Sequence, residues 1–226
     1  VIAVVESEAD VRAVLQVGKQ HATPVTFRAA GTSLSGQAIT NGILALIGEG
    51  FATCEINADA SQVKAGPGIV GGEVNRRLAP HGRKIGPDPA SIGAAKIGGI
   101  AANNASGMCC GTAQNSYRTL AGLRVVLADG TLLDTRDAAS CRAFLASRPD
   151  LAQGLAELAR DTLADTTLAA RIRHKFRLKN TTGYSLNALV EFSDPVEILA
   201  HLMIGSEGTL GFISEISFRT VEEHAH

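Results

Sequence analysis

Four stretches of this chain combine glycine with small polar residues in patterns that suit the holding of an anionic or flat ligand. The first is Arg28-Ala29-Ala30-Gly31-Thr32-Ser33-Leu34-Ser35-Gly36-Gln37, directly after an apolar run. Its two glycines permit tight turns and its three hydroxyls add donors, so backbone N–H groups can converge on one point as a phosphate nest. An ordinary Ser/Gly surface turn is the competing reading. The second, Gly66-Pro67-Gly68-Ile69-Val70-Gly71, matches G-x-G-x-x-G, the phosphate-turn pattern of doubly wound folds. Pro67, however, removes a donor where an approaching phosphate would use it. The nearest acid at suitable spacing, Asp88, lies between two prolines, and no long α/β alternation follows. This stretch is therefore read as structural.

The third stretch runs Gly86-Pro87-Asp88-Pro89-Ala90-Ser91, then Lys96-Ile97-Gly98-Gly99-Ile100-Ala101-Ala102-Asn103-Asn104-Ala105-Ser106-Gly107. From Gly98 to Gly107 the side chains are almost all small. A packed helix would want Leu or Ile there; small residues let backbone lie against an extended ligand or against another subdomain. The fourth, Gly205-Ser206-Glu207-Gly208-Thr209-Leu210-Gly211-Phe212-Ile213, places three glycines before a terminal strand, more than one tight turn requires. Cys54, Cys109, Cys110 and Cys141 contain no C-x-x-C pair, so no zinc or iron–sulfur site is expected within the chain, and the thiols are read as small packing residues. His81 and His201 lack an evident partner and are read as surface or helix residues rather than catalysts.

Taken in order, the G-T-S-L-S-G loop, P-D-P with I-G-G, an Asp129-Gly130 hairpin and G-S-E-G-T-L-G resemble the FAD-binding domain of the vanillyl-alcohol oxidase type, the PCMH fold. The resemblance covers nearly the whole chain. Within that type the chain is most similar to FAD-linked D-2-hydroxy-acid dehydrogenases: D-lactate dehydrogenases, glycolate oxidase flavin subunits and D-2-hydroxyglutarate dehydrogenases. Lys179-Asn180-Thr181-Thr182-Gly183-Tyr184 and Ala102 to Gly111 resemble the large members that carry an iron–sulfur module downstream. The resemblance implies oxidation of a D-2-hydroxy acid to the 2-keto acid, with hydride passing to flavin N5. It implies that Arg28, Ala30, Gly31, Thr32, Ser33, Leu34, Gly36 and Gln37 serve the FAD pyrophosphate. Pro87, Asp88, Ser91, Gly98, Gly99, Ala102, Asn104, Gly107 and Ile213 would lie along the cofactor. Relatives that bind FAD covalently carry His where this chain has Thr32, so FAD is expected to be noncovalent. Many relatives have Thr at the position of Lys96, and many have Arg-Tyr-Gly near Thr112-Ala113-Gln114. The base and the carboxylate-binding residues belong to a cap domain expected outside this chain, as does any iron–sulfur cluster. Lys179 and Tyr184 are the only catalytic candidates within it. An aldonolactone oxidase, an ether-lipid synthase or a non-catalytic flavin-binding subunit are the alternatives.

The elements that must position these loops follow from patterning. Val1–Val5 reads as a strand, Ser7-Glu8-Ala9-Asp10 as a capping box opening a helix, and Thr23–Phe27 and Gly42–Ile47 as strands, together a small parallel βαβ unit. Cys54–Ala65 suits one strand and Gly71–Leu78 a helix. Arg83–Gly111 reads as loop with a short helical stretch after Gly98. Leu123–Leu127 and Thr131–Asp134 flank Asp-Gly, a hairpin signal. A helical stripe spans Pro149–Ala170, the basic run Arg171–Lys179 reads as a solvated connector, a helix starts at Asp194-Pro195 and a strand spans Gly211–Arg219. The expected class is α+β, with a small parallel subdomain over about residues 1–65, a larger antiparallel one over about 66–220, and the cofactor between them.

Bulk properties narrow the field. The net charge of -1 gives no reason to expect nucleic acid, and the 4% aromatic content is too low for base stacking. No apolar run approaches the roughly 20 residues of a membrane span. The start, VIAVVESEAD, has neither the basic residues nor the cleavage site of a signal peptide. We therefore expect a cytoplasmic location, with peripheral association at the inner membrane as the alternative for the parent protein. The expected partners are a 2-hydroxy acid and an electron acceptor. Val221 to His226 carries no terminating signal, and part of the parent protein is expected to lie beyond it.

Overall fold

The computed structural model describes residues 1–223. β1 (Ile2–Val5), α1 (Glu8–Gln20), β2 (Val25–Arg28) and β3 (Ile43–Ile47) form the parallel unit, in the order β1-β3-β2. Central β3 buries Ile43, Ala45 and Ile47 in alternation. The N-cap Ser7 hydroxyl accepts the Asp10 N–H at 3.2 Å, and the Asp10 carboxylate accepts the Ser7 hydroxyl and the preceding Glu6 N–H, each at 2.9 Å. Gly18 lets α1 sit close to β2, because a Cβ there would lie 2.6 Å from Val25 Cγ2.

The next segment departs from the expected single strand. Cys54–Ala65 is a hairpin of β4 (Cys54–Ile56) and β5 (Gln62–Ala65). The polar run between them makes the turn: Asn57 Oδ1 accepts the Gln62 N–H at 2.8 Å and Asp59 Oδ1 accepts the Ser61 N–H at 3.1 Å. Both strands join the larger sheet, so the change of sheet falls between Ile47 and Cys54 rather than near residue 65.

α2 (Gly71–Leu78) occupies its expected span, and β6 (Arg83–Ile85) follows within a segment read as loop. Next come α3 (Ile97–Asn103), α4 (Ser116–Thr119), β7 (Leu120–Leu127) and β8 (Leu132–Asp134), the last two joined through Asp129-Gly130 with Gly130 at φ +85°. α5 (Ala138–Ser147) was not foreseen. The expected helical stripe is two helices, α6 (Pro149–Ala164) and α7 (Thr166–Lys175), because the Asp165 carboxylate accepts the Leu168 N–H at 2.9 Å and starts a new helix. The basic run thus begins as the exposed end of α7. α8 (Ala188–Glu191), α9 (Pro195–Met203, capped by Asp194) and β9 (Gly211–Glu222) complete the chain.

The larger sheet runs β4-β5-β9-β7-β8, with β6 pairing the far end of β9. Ile213, Ile216 and Phe218 of β9 enter the main core with Ile97, Ile100, Leu123 and Met203. Phe212 instead enters a second core with Val5, Val11, Ala45, Ile47 and Phe51 of the small unit. Its ring lies 4.8 Å from Phe27 and 5.2 Å from Phe51. Glu8 of α1 adds a polar tie: it takes Arg124 Nε at 2.7 Å and Nη2 at 3.0 Å, and the Ser214 hydroxyl at 2.6 Å. Among the described residues no helix is long and apolar enough to cross a membrane.

Candidate cofactor-binding site

The seam between the two sheets opens into a cavity of about 650 Å³, a size typical of cofactor sites. Its wall draws on the loop after β2, the end of β3, α3, the Lys179–Gly183 segment and the glycine turn before β9. Among the residues expected at a cofactor, Arg28, Ala30, Gly31, Thr32, Ser33, Leu34, Gln37, Ser91, Gly98, Gly99, Ala102 and Ile213 all stand in this wall.

The first loop owes its shape to two glycines, Gly31 at φ +68° and Gly36 at φ +77°. At Gly31 a Cβ would lie 2.7 Å from Arg28 Nη2, so the guanidinium folds over a bare backbone. The Ser33 hydroxyl donates to Gln37, and the Ser35 N–H reaches Ser33 Oγ at 3.4 Å. Among the described residues the backbone N–H groups of Ala30 through Leu34 have no acceptor. Gly98 and Gly99 differ in role. A Cβ on Gly98 would lie 2.6 Å from Pro67 Cβ, so this glycine serves contact between chain segments, whereas Gly99 faces only Ala29 Cβ at 3.8 Å and keeps the wall open.

Five expected residues fall outside the wall. Gly36 turns the loop and accepts the Ile39 N–H at 3.0 Å. Pro87 is buried. The Asp88 carboxylate clasps the 107–110 turn, accepting the Gly107 N–H at 2.8 Å and the Cys109 N–H at 3.0 Å. Burial raises its pKa, but hydrogen bonds from the Cys110 side chain and from these amides outweigh that and hold it below the ordinary carboxylate value. Gly107 has no room for a side chain against the Asp88 carbonyl. Asn104 is buried at φ +50°, and its Oδ1 accepts the Tyr117 N–H at 3.2 Å. These residues shape the wall from behind.

Lys179 lies in the wall with its ammonium on the Ser106 carbonyl. Tyr184 lies outside it, its hydroxyl 2.8 Å from Thr209 Oγ1. Wall residues that sequence reasoning missed include Lys96, Thr181, Thr182, Ser206 and Glu207. Each lies in a stretch that the sequence had singled out, but none was named as a site residue; Ser206 and Glu207 were signalled by the 205–211 glycines. There the Gly205 and Glu207 N–H groups bond the Ala101 and Ala102 carbonyls at 3.2 and 2.8 Å, with Glu207 at φ +54° and its carboxylate on Asn103. The G-x-G-x-x-G stretch is structural: Gly66 and Gly68 donate to the Thr53 and Phe51 carbonyls at 3.0 Å, and a Cβ on Gly71 would lie 2.6 Å from Ile92 Cδ1.

The wall is cationic. Arg28, Lys96 and Lys179 stand against one carboxylate, Glu207, and none of the three cations forms an ion pair among the described residues. Open amides and unpaired cations around a cavity of this size fit a dinucleotide with a diphosphate. No group of three or more His, Cys, Asp or Glu among the described residues is placed to hold a metal ion.

Comparison with known proteins gives the same picture. The family described as FAD binding domain matches residues 1–136. The D-2-hydroxyglutarate dehydrogenase of Pantoea ananatis is 31% identical over 196 residues, 84% of this chain but 19% of its own length. The glycolate oxidase subunit GlcD of Escherichia coli is 33% identical over 125 residues, 54% of this chain and 25% of its own. The D-lactate dehydrogenase of Archaeoglobus fulgidus is 26% identical over 214 residues, 93% of this chain and 36% of its own. The chain thus spans well under half the length of the curated relatives it matches. Among solved structures, 6-hydroxy-D-nicotine oxidase from Arthrobacter nicotinovorans superposes with a TM-score of 0.62 at 16% identity, over 98% of this chain and 36% of that one. Alkyldihydroxyacetonephosphate synthase gives 0.59 at 16%, over 98% and 31%. The match over residues 1–136 and the shared two-sheet α+β architecture place this chain in the FAD binding domain family, with the PCMH-type fold.

Proposed function

We propose that this chain is the cofactor-holding part of a flavin-dependent oxidoreductase that oxidises a D-2-hydroxy acid of the D-lactate, glycolate or D-2-hydroxyglutarate type to the 2-keto acid. The observation that carries this reading is the cavity at the sheet seam, with the acceptor-free amides of Ala30–Leu34 and three unpaired cations in its wall. In this reading those amides hold the diphosphate, Gly99 and Ala102 lie along the cofactor, and Ile213 closes the cavity floor with an apolar side chain. Thr32 offers no nucleophilic imidazole, so FAD is held by noncovalent contacts. When bound, FAD supplies a two-electron acceptor for the substrate C2 hydride.

The wall holds no histidine among the described residues, while Lys179 and Tyr184 are occupied by Ser106 and Thr209. This supports a division of labour in which the base and the carboxylate-binding residues come from the rest of the parent protein. Four unpaired thiols suit a reducing compartment, and we place the protein in the cytoplasm. The test is a panel of D-2-hydroxy acids with a dye acceptor, run on the intact FAD-loaded protein. Reduction of the dye by one or a few D-acids is expected; FAD-loaded protein that oxidises none of them would contradict the reading.

A further inference from the structure

We propose that Lys96 is a charge partner of the cofactor diphosphate, closing from the α3 side the nest that Ala30–Leu34 forms on the other. The inference rests on the FAD reading above, which counts Lys96 among three wall cations but gives it no role of its own.

The backbone at Lys96 is pinned. It bridges to Val70, and the adjacent Ile97 N–H bonds the Ile69 carbonyl at 2.8 Å. The side chain is half-buried in the cavity wall, and its ammonium donates to the Ile47 carbonyl at 3.2 Å. Ile47 ends β3 and also lines the cavity, and its neighbour Leu46 is the register partner of Arg28, the residue that opens the nest loop. The ammonium is therefore fixed beside the start of that loop.

An ammonium carries three donors, and this one has a single acceptor among the described residues. It has no carboxylate partner there either. A partly desolvated cation without a counterion favours an anion at the same place. The nearby amides of Ala30–Leu34 share that demand for an oxyanion. A diphosphate, with charge and oxygens on both phosphorus atoms, meets both sets of donors at once.

The experiment measures FAD and riboflavin affinity of the intact protein by quenching of flavin fluorescence at several salt concentrations. Riboflavin shares the isoalloxazine ring but has no phosphate. Lys96→Thr is expected to weaken FAD binding by about tenfold at low salt, to flatten its salt dependence, and to leave riboflavin binding unchanged. Lys96→Gln keeps a donor for the Ile47 carbonyl and should show the same loss; it decides the matter if the threonine variant fails to fold. Lys96→Arg should retain most of the affinity. FAD affinity and salt dependence unchanged in the glutamine variant would overturn the proposal. So would equal weakening of FAD and riboflavin, which would put the cation at the ring. Wild-type protein without affinity for FAD would instead sink the functional reading itself.

Discussion

At Gly31 one backbone angle carries a large share of the site. Its φ of +68° disfavours any branched side chain, and a Cβ there would also have to push the Arg28 guanidinium aside. Gly31→Val should strain the loop by about 1–3 kcal/mol and weaken FAD binding. Flavin titration checks this, and unchanged affinity would remove the loop from the site. His201 makes a separate prediction. Burial, partly offset by Glu197, pushes its imidazole below the ordinary value of 6.5, so the unfolded chain binds a proton more readily than the folded one. Its contribution is therefore whole above pH 6.5 and drains away as pH falls below it. Melting temperature should drop between about pH 7.5 and about pH 5.5, and less steeply in His201→Phe, which keeps an aromatic ring beside Phe192 and Tyr117. Equal slopes would refute the assignment. The first loop's place in the cavity wall was legible in the sequence because its signals are local: glycines, hydroxyls and amides lie within a few residues. Lys96 and Glu207 were not, since each becomes part of the wall only through a partner on a distant element.

Elements were legible where their signals are local and self-contained. Ser7 with Asp10, the Asp129-Gly130 turn and Asp194-Pro195 each named a boundary that the structure keeps. Misses came where a short segment depends on its neighbours. β6 is a strand only because β9 is long enough to pair with it beyond β5. The 54–65 segment alternates as a strand would, yet Asn57 and Asp59 bond their own backbone and fold it into a hairpin. Asp165 divides a continuous apolar stripe in the same manner. Asp165→Ala should cost about 1 kcal/mol by losing the cap on the Leu168 N–H, read from urea unfolding. No loss of stability would mean that α6 and α7 do not need the break.

Over the whole molecule, the cavity exists because two sheets of different type are held at a fixed distance. Phe212 does much of this: it is a β9 residue whose ring packs against Phe27 and Phe51 of the small unit, and it also lines the cavity. Phe212→Ala should cost about 3–5 kcal/mol and loosen the seam, so that FAD affinity falls together with melting temperature. A stability loss with unchanged affinity would separate the seam from the site. The central claim, that this cavity holds FAD without a covalent bond, has a direct test. Intact protein is mixed with FAD, desalted, and its absorbance recorded before and after acid precipitation. Flavin absorbance should stay with the protein through desalting and pass entirely to the supernatant in acid. A colourless protein after desalting, with no FAD affinity on titration, would contradict the account, as would flavin retained in the acid pellet.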